Sequence, residues 1–212
     1  MKKTSRYIFT GVLIVFILVA MVHVARFAKA ATSIELHNAK FKGPKDAPIH
    51  LIIYSDFQCP ACRNAVVPLE ELRTQFAKDL KVEFRHYPLE RNHQWALLAA
   101  TFAECAAEQN KFWEFHDLLY GNQDVWSRAQ DPLSIFAGYV REVDLDTAQF
   151  ERCIENPDTV KKIRKERSAG NRQGVQSTPT IFINGRALIG AIRLKQEGPG
   201  IVVEELAKRR RR

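Results

Sequence analysis

Two cysteines in the order Cys59-Pro60-Ala61-Cys62, directly behind a short apolar run, constrain this chain more than any other feature. The run, Ile49-His50-Leu51-Ile52-Ile53-Tyr54, is rich in β-branched residues and reads as a buried strand. Ser55-Asp56-Phe57-Gln58 ends it, and Pro60 suits a first helical turn, where its missing N–H is no loss. Leu69, Leu72 and Phe76 carry an apolar stripe at helical spacing to about Ala77. A thiol at the start of a helix faces unsatisfied backbone N–H groups and the positive end of the dipole, so its pKa falls. Favouring the thiolate favours the reduced pair, which makes the disulfide a stronger oxidant. Cys59 is therefore the expected exposed, attacking thiol, and Cys62, one turn into the helix, the less accessible one that resolves the mixed disulfide. The same spacing occurs in zinc sites, but those need a second ligand pair. Cys105 and Cys153 stand singly in separate predicted helices with no histidine nearby in sequence, so neither a metal nor a cofactor is expected. A purely structural Cys59–Cys62 bridge would close too short a loop to add much stability.

The remaining pattern is α/β. Val82-Glu83-Phe84-Arg85-His86-Tyr87 alternates as a second strand stopped by Pro88, giving strand–helix–strand and hence a parallel pair with a right-handed crossover. Residues 92–173 read as a helical block, with segments at Gln94–Gln109, Lys111–Tyr120, from Asp131-Pro132, Asp146–Glu155 and 158–173. Thr180-Ile181-Phe182-Ile183 is a third strand. Asn184-Gly185 is a two-residue hairpin signal, so Ala187–Ile192 should return antiparallel. A closing helix is expected over 194–208, interrupted or delayed by Gly198-Pro199-Gly200.

Charge says more by its position than by its sum. The net +8 comes from the two ends: residues 1–30 hold five basic and no acidic side chains, and Lys208–Arg212 are all basic. The body between them carries 22 basic and 24 acidic residues and shows no basic face interleaved with aromatics, which excludes a nucleic-acid binder. Lys2, Lys3 and Arg6 precede an apolar run, Ile8–Val22, and Ala28-Lys29-Ala30 offers a small-x-small cleavage site. Residues 1–30 are thus a signal peptide or, if uncleaved, a membrane anchor through residues 7–25, since about 20 residues span a bilayer. Either way the chain is delivered outside the cytoplasm, with its amino terminus left inside. Residues 31–48 read as a tether, and 208–212 as a solvated basic tail. In an oxidising compartment four cysteines are free to form disulfides. Cys105 and Cys153 are either two unrelated buried thiols or a structural bridge closing a loop worth about 4 kcal/mol in the chain-entropy model.

Ser177-Thr178-Pro179-Thr180, at the entrance to the third strand, completes the pattern. Four passages carry a resemblance: Tyr54–Cys62, Phe84-Arg85-His86-Tyr87-Pro88-Leu89, Lys111-Phe112-Trp113-Glu114-Phe115-His116-Asp117, and Gly174–Gly185. Together they make residues 35–207 resemble the DsbA-like, BdbD-like branch of the thioredoxin superfamily. The resemblance implies a thioredoxin fold over 49–207 with an inserted helical domain at 92–173. It also implies a cis-proline loop at Thr178-Pro179 that faces the cysteine pair and pairs with an extended client segment. Paired cysteines at the places of Cys105 and Cys153 occur in some relatives. The dipeptide between the active cysteines departs from the family's strongest oxidants, which carry a histidine there.

The expected function is disulfide donation to exported client proteins with free thiols, by a monomer reoxidised by a membrane thiol-oxidising partner. An isomerase or reductase is the nearest alternative, although the tether is too short for the separate dimerisation domain of such isomerases. A thiol-based metal-binding module is the alternative of a different class. Disulfide exchange requires no general base, so His86, His93 and His116 are read as packing or surface residues.

Overall fold

The apolar run before the cysteines forms strand β2, Ile49–Ser55, in the computed structural model, which describes residues 40–211. The alternating segment forms β3, Leu80–His86, burying Leu80, Val82, Phe84 and His86 on one face. The two pair in parallel, with Ile53 opposite Phe84 and Ser55 opposite His86. Helix α1, Pro60–Gln75, makes the crossover. Strand β4, Thr180–Ile183, lies antiparallel on the other side of β2, and β5, Arg186–Ile189, returns beside it. Asn184 and Gly185 both have positive φ (46° and 89°), as a two-residue hairpin loop of primed type requires.

The expected tether is not featureless. Within it Phe41–Lys42 forms β1, antiparallel to the outer edge of β3, so the sheet order is β1-β3-β2-β4-β5. Two residues are too few to show periodicity. The strand is held from outside the pattern, by Phe84 N–H to the Lys40 carbonyl (3.0 Å) and Trp113 Nε1 to the Phe41 carbonyl (3.1 Å). The signal or anchor segment expected at 1–30 lies outside the described residues. Among the described residues no helix is long and apolar enough to cross a membrane.

The helical insert comprises α2 (Ala96–Glu108), α3 (Phe112–Gly121), α4 (Gln123–Trp126), α5 (Leu133–Glu142), α6 (Thr147–Glu155) and α7 (Pro157–Arg172). Asp146 caps α6 through Gln149 N–H (2.7 Å), and Asn156 caps α7 ahead of Pro157 at its first position. A disulfide joins Cys105 of α2 to Cys153 of α6. The last helix, α8, runs from Ala191 to Arg210, so the Gly198-Pro199-Gly200 break expected there does not occur. The helix packs on α1 here: a Cβ on Gly198 would make ordinary van der Waals contact, 3.4 Å from both Leu194 and Leu72. Lys208–Arg210, expected as tail, form the last turn of α8, where cations complement the helix dipole.

Insert and sheet share one core at the carboxyl end of β2. Phe57 stacks on Phe84 (centroids 5.1 Å apart) and packs against Phe112 and Tyr120. All four are at most 3% exposed, and burying each contributes about 1.5–3 kcal/mol. Beside this cluster lies a buried ion network. Glu104 of α2 meets His86 (3.1 Å), Lys40 (2.7 Å) and Lys162, while Glu166 accepts from Lys40 and from the His86 amide (2.7 Å). Burial alone would push the Glu104 carboxyl up, but the His86 hydrogen bond and the two lysines hold it far below the usual carboxylate range. This network pins α2 and α7 to the strand that ends beside the cysteines.

Candidate active site

Cys59 is the N-cap of α1, with extended backbone (φ −76°, ψ 120°) and Pro60 behind it in the first turn. Its amide donates to the Asp56 carbonyl (3.1 Å), and its own carbonyl accepts from Cys62 and Arg63 (3.1 and 3.2 Å). Gln123 of α4 donates its side-chain amide to the carbonyls of Phe57 (2.6 Å) and Cys59 (3.0 Å), so the insert fixes the turn. Both cysteines are free thiols.

Thr178-Pro179 is a cis peptide and lies against the pair: the Thr178 carbonyl is 3.5 Å from Cys59 Sγ. Thr180 Oγ1 donates to the Ser177 carbonyl (2.7 Å) and Gly190 N–H to the Pro179 carbonyl (2.9 Å), tying the loop to β4 and β5. The loop changes one expectation. Cys59 is only 7% exposed against 1% for Cys62, so it is recessed under the proline loop rather than open.

The two thiols differ in ionisation. Cys59 is lowered from 9.0 to about 5. The largest cause is the hydrogen bond from Cys62. Burial works against the shift, and Thr178 and the amides of Cys62 and Ala61 add to it. The Thr178 carbonyl serves the protonated thiol; the Thr178 hydroxyl, buried and otherwise unpartnered, is the donor suited to the thiolate. Cys62 is pushed well above the ordinary thiol value, first by burial and then by the hydrogen bond and charge of Cys59. A pair so divided has one sulfur that attacks or leaves as an anion and one that holds a proton.

Several residues around the pair were not singled out from the sequence. Asp56 is 2% exposed and accepts from Gln58 N–H (2.7 Å), Leu89 N–H (2.9 Å) and His93 Nδ1 (2.7 Å), while its own amide points at Cys62 Sγ (3.5 Å). Tyr120 places its hydroxyl 2.8 Å from Ser55 Oγ, which in turn favours the Cys62 thiolate. Asp56 is adjacent to the motif, but nothing in the pattern says that its partner is a histidine 37 residues on. Cys105 and Cys153 lie away from the pair, in the insert. Among the described residues no group of three or more His, Cys, Asp and Glu converges as a metal site would require.

A family model described as Thioredoxin matches residues 37–198. The Na(+)/H(+) antiporter NhaA 3 of Salinispora tropica is 37% identical over 145 residues, which is 68% of this chain and 21% of that protein. The chain thus spans about one fifth of the length of that curated relative. Among solved structures, oxidised BdbD of Bacillus subtilis aligns with TM-score 0.69 at 19% identity, over 79% of this chain and 92% of that one. Wolbachia pipientis alpha-DsbA1 aligns with TM-score 0.65 at 22% identity, over 80% and 91%. These likenesses establish the fold, and the family model covers the cysteine pair, the insert and the proline loop together. The chain belongs to the thioredoxin family and has the fold of its DsbA-like members.

Proposed function

We propose that this thiol–disulfide oxidoreductase works outside the cytoplasm as an oxidase, donating the Cys59–Cys62 disulfide to exported proteins with free thiols. The observation that carries the reading is the division between the two thiols, Cys59 lowered to about 5 and Cys62 raised. A client thiolate attacks Cys59 Sγ of the oxidised pair. The intramolecular S–S bond breaks, and Cys62 departs with the electron pair and takes up a proton, as its raised pKa favours. A second client thiolate then attacks the client sulfur of the mixed disulfide and expels Cys59 as a thiolate. The low pKa of Cys59 makes it a good leaving group at this step. The client gains one disulfide and the enzyme is left with the reduced pair.

Thr178-Pro179 supports this chemistry as a client-binding element. Its backbone lies beside Cys59, where an extended client segment can pair with it as an added strand. The basic and apolar residues 1–30 support delivery across a membrane, and reoxidation falls to a membrane thiol-oxidising partner. The Cys105–Cys153 bridge is assigned a structural role, tying two helices of the insert.

The test is turnover. Oxidised enzyme added to a reduced, unfolded secreted protein should form disulfides in it, and Cys59→Ser should abolish this. Cys62→Ser, which cannot form the pair's disulfide, should likewise donate none, and when given a client that already carries a disulfide it should be trapped in a mixed disulfide through Cys59. Rearrangement of scrambled disulfides without net oxidation would assign an isomerase. Tight stoichiometric metal on the reduced protein, lost in Cys59→Ser, would assign a metal-binding module.

A further inference from the structure

The dipeptide between the cysteines lacks a histidine, yet a histidine is built onto the site from another element. The connection between β3 and α2 is clamped to the turn that precedes Cys59 by three hydrogen bonds. Leu89 N–H and His93 Nδ1 both reach Asp56 Oδ2 (2.9 and 2.7 Å), and Trp95 N–H reaches Gln58 Oε1 (2.7 Å). Asp56 in turn accepts the Cys59 amide on its carbonyl. The His93 ring is therefore one carboxylate away from the backbone of the attacking cysteine, and its side chain is one-fifth exposed while that of Asp56 is fully buried.

We propose that His93, hydrogen-bonded to Asp56 beside the turn that carries Cys59, is a positioning residue whose protonated ring stabilises the Cys59 thiolate and so makes the pair more oxidising. This rests on the Cys59–Cys62 redox reading above. The geometry admits an electrostatic effect because the ring is hydrogen-bonded to Asp56, whose own carbonyl holds the Cys59 amide. The imidazole is pushed up first by the Asp56 hydrogen bond, against burial, with further contributions from the charges of Asp56 and Cys59. Coupling between two sites is reciprocal. If a thiolate at Cys59 favours the imidazolium, the imidazolium favours the thiolate by the same factor.

The remaining ionisable groups around the pair are accounted for. Cys62 and Tyr120 are both held protonated by burial. Arg63, behind Cys59 on α1, is engaged by Asp124 of α4. Glu90, on the same connection as His93, is turned to Arg167 and Arg164 of α7. Arg91, the other cation on this connection, is exposed, whereas His93 is hydrogen-bonded to Asp56 beside Cys59.

Reciprocity supplies a test that a merely structural Asp56–His93 bond would not pass. The His93 ring is titrated by NMR in the full chain, once with the pair reduced and once oxidised. Its pKa should be higher in the reduced protein by half to one unit, a three- to tenfold coupling. His93→Gln keeps a donor for Asp56 but no charge; it should shift the glutathione equilibrium three- to tenfold toward the disulfide and raise the Cys59 alkylation midpoint equally. His93→Lys, which restores a cation, should recover most of that shift. An identical His93 titration in both redox states, or a His93→Gln protein that is folded with an unchanged glutathione equilibrium, would overturn the proposal. Failure of the wild-type pair to exchange with glutathione at all would instead sink the redox reading on which it rests.

Discussion

The ionisation of Cys59 sets how the reduced and oxidised forms should differ in stability with pH. An ordinary thiol at 9.0 is about 1% ionised at pH 7, whereas one at about 5 is almost fully ionised. The reduced native state is therefore favoured about 100-fold at pH 7, or about 2.7 kcal/mol. The disulfide has no thiol to ionise, so the effect belongs to the reduced form alone. Cys59 is an acid with a depressed folded pKa: the unfolded chain holds its proton between pH 5 and 8 while the native one does not, so stability rises with pH. Chemical denaturation of both forms, taken as a difference, should show the reduced form gaining about 1.4 kcal/mol per pH unit across this window. The gain should vanish below about pH 5. Taking the difference removes groups that titrate alike in both forms; His93, proposed above to titrate higher in the reduced form, offsets part of the gain as pH rises through its own pKa. Cys62, whose folded pKa is raised, opposes the trend only as pH nears the ordinary thiol value. A reduced-minus-oxidised difference that is flat from pH 5 to 8 would refute the reasoning, and with it the hydrogen bonding ascribed to Cys59.

Two further outcomes follow from the insert. Cys105→Ala should lower stability by up to about 4 kcal/mol, because the bridge closes a loop with a sequence separation of 48, while Cys59 alkylation stays unchanged. Denaturant midpoints and alkylation rates on the same sample check both halves. Glu104→Gln leaves the buried Lys40 with Glu166 as its remaining carboxylate and should cost about 1–3 kcal/mol, the scale for removing one partner of a buried hydrogen bond. Equilibrium unfolding reads this directly, and a loss under 1 kcal/mol would mean that the network is relaxed in solution.

Much of this architecture is legible in the sequence because it rests on local signals. β2 is an apolar run, α1 begins at a proline, and the β4–β5 turn needs two residues at positive φ, which Asn184-Gly185 supplies. What is not legible depends on contacts between distant segments. β1 is fixed by Phe84 and Trp113 rather than by its own two residues. α8 continues through Pro199 although Gly198-Pro199-Gly200 signals a break, and it packs there against Leu72 of α1. Cys59 is recessed because a loop more than a hundred residues away lies over it. His93, read from the sequence as a bystander, is brought to Asp56 by the fold of the β3–α2 connection. Pairs of this kind leave no period or spacing to read.

The account stands most directly on the redox equilibrium of the wild-type pair with glutathione at pH 7. A Cys59 near 5, against about 7 for a thioredoxin thiol, places the couple about 50 mV above the −270 mV or so of thioredoxin. A potential near −220 mV or higher is the expected result, because such a couple lies above the roughly −300 mV of structural disulfides in secreted proteins and can donate to them. A potential at or below that of thioredoxin would contradict it and make the pair a reductant.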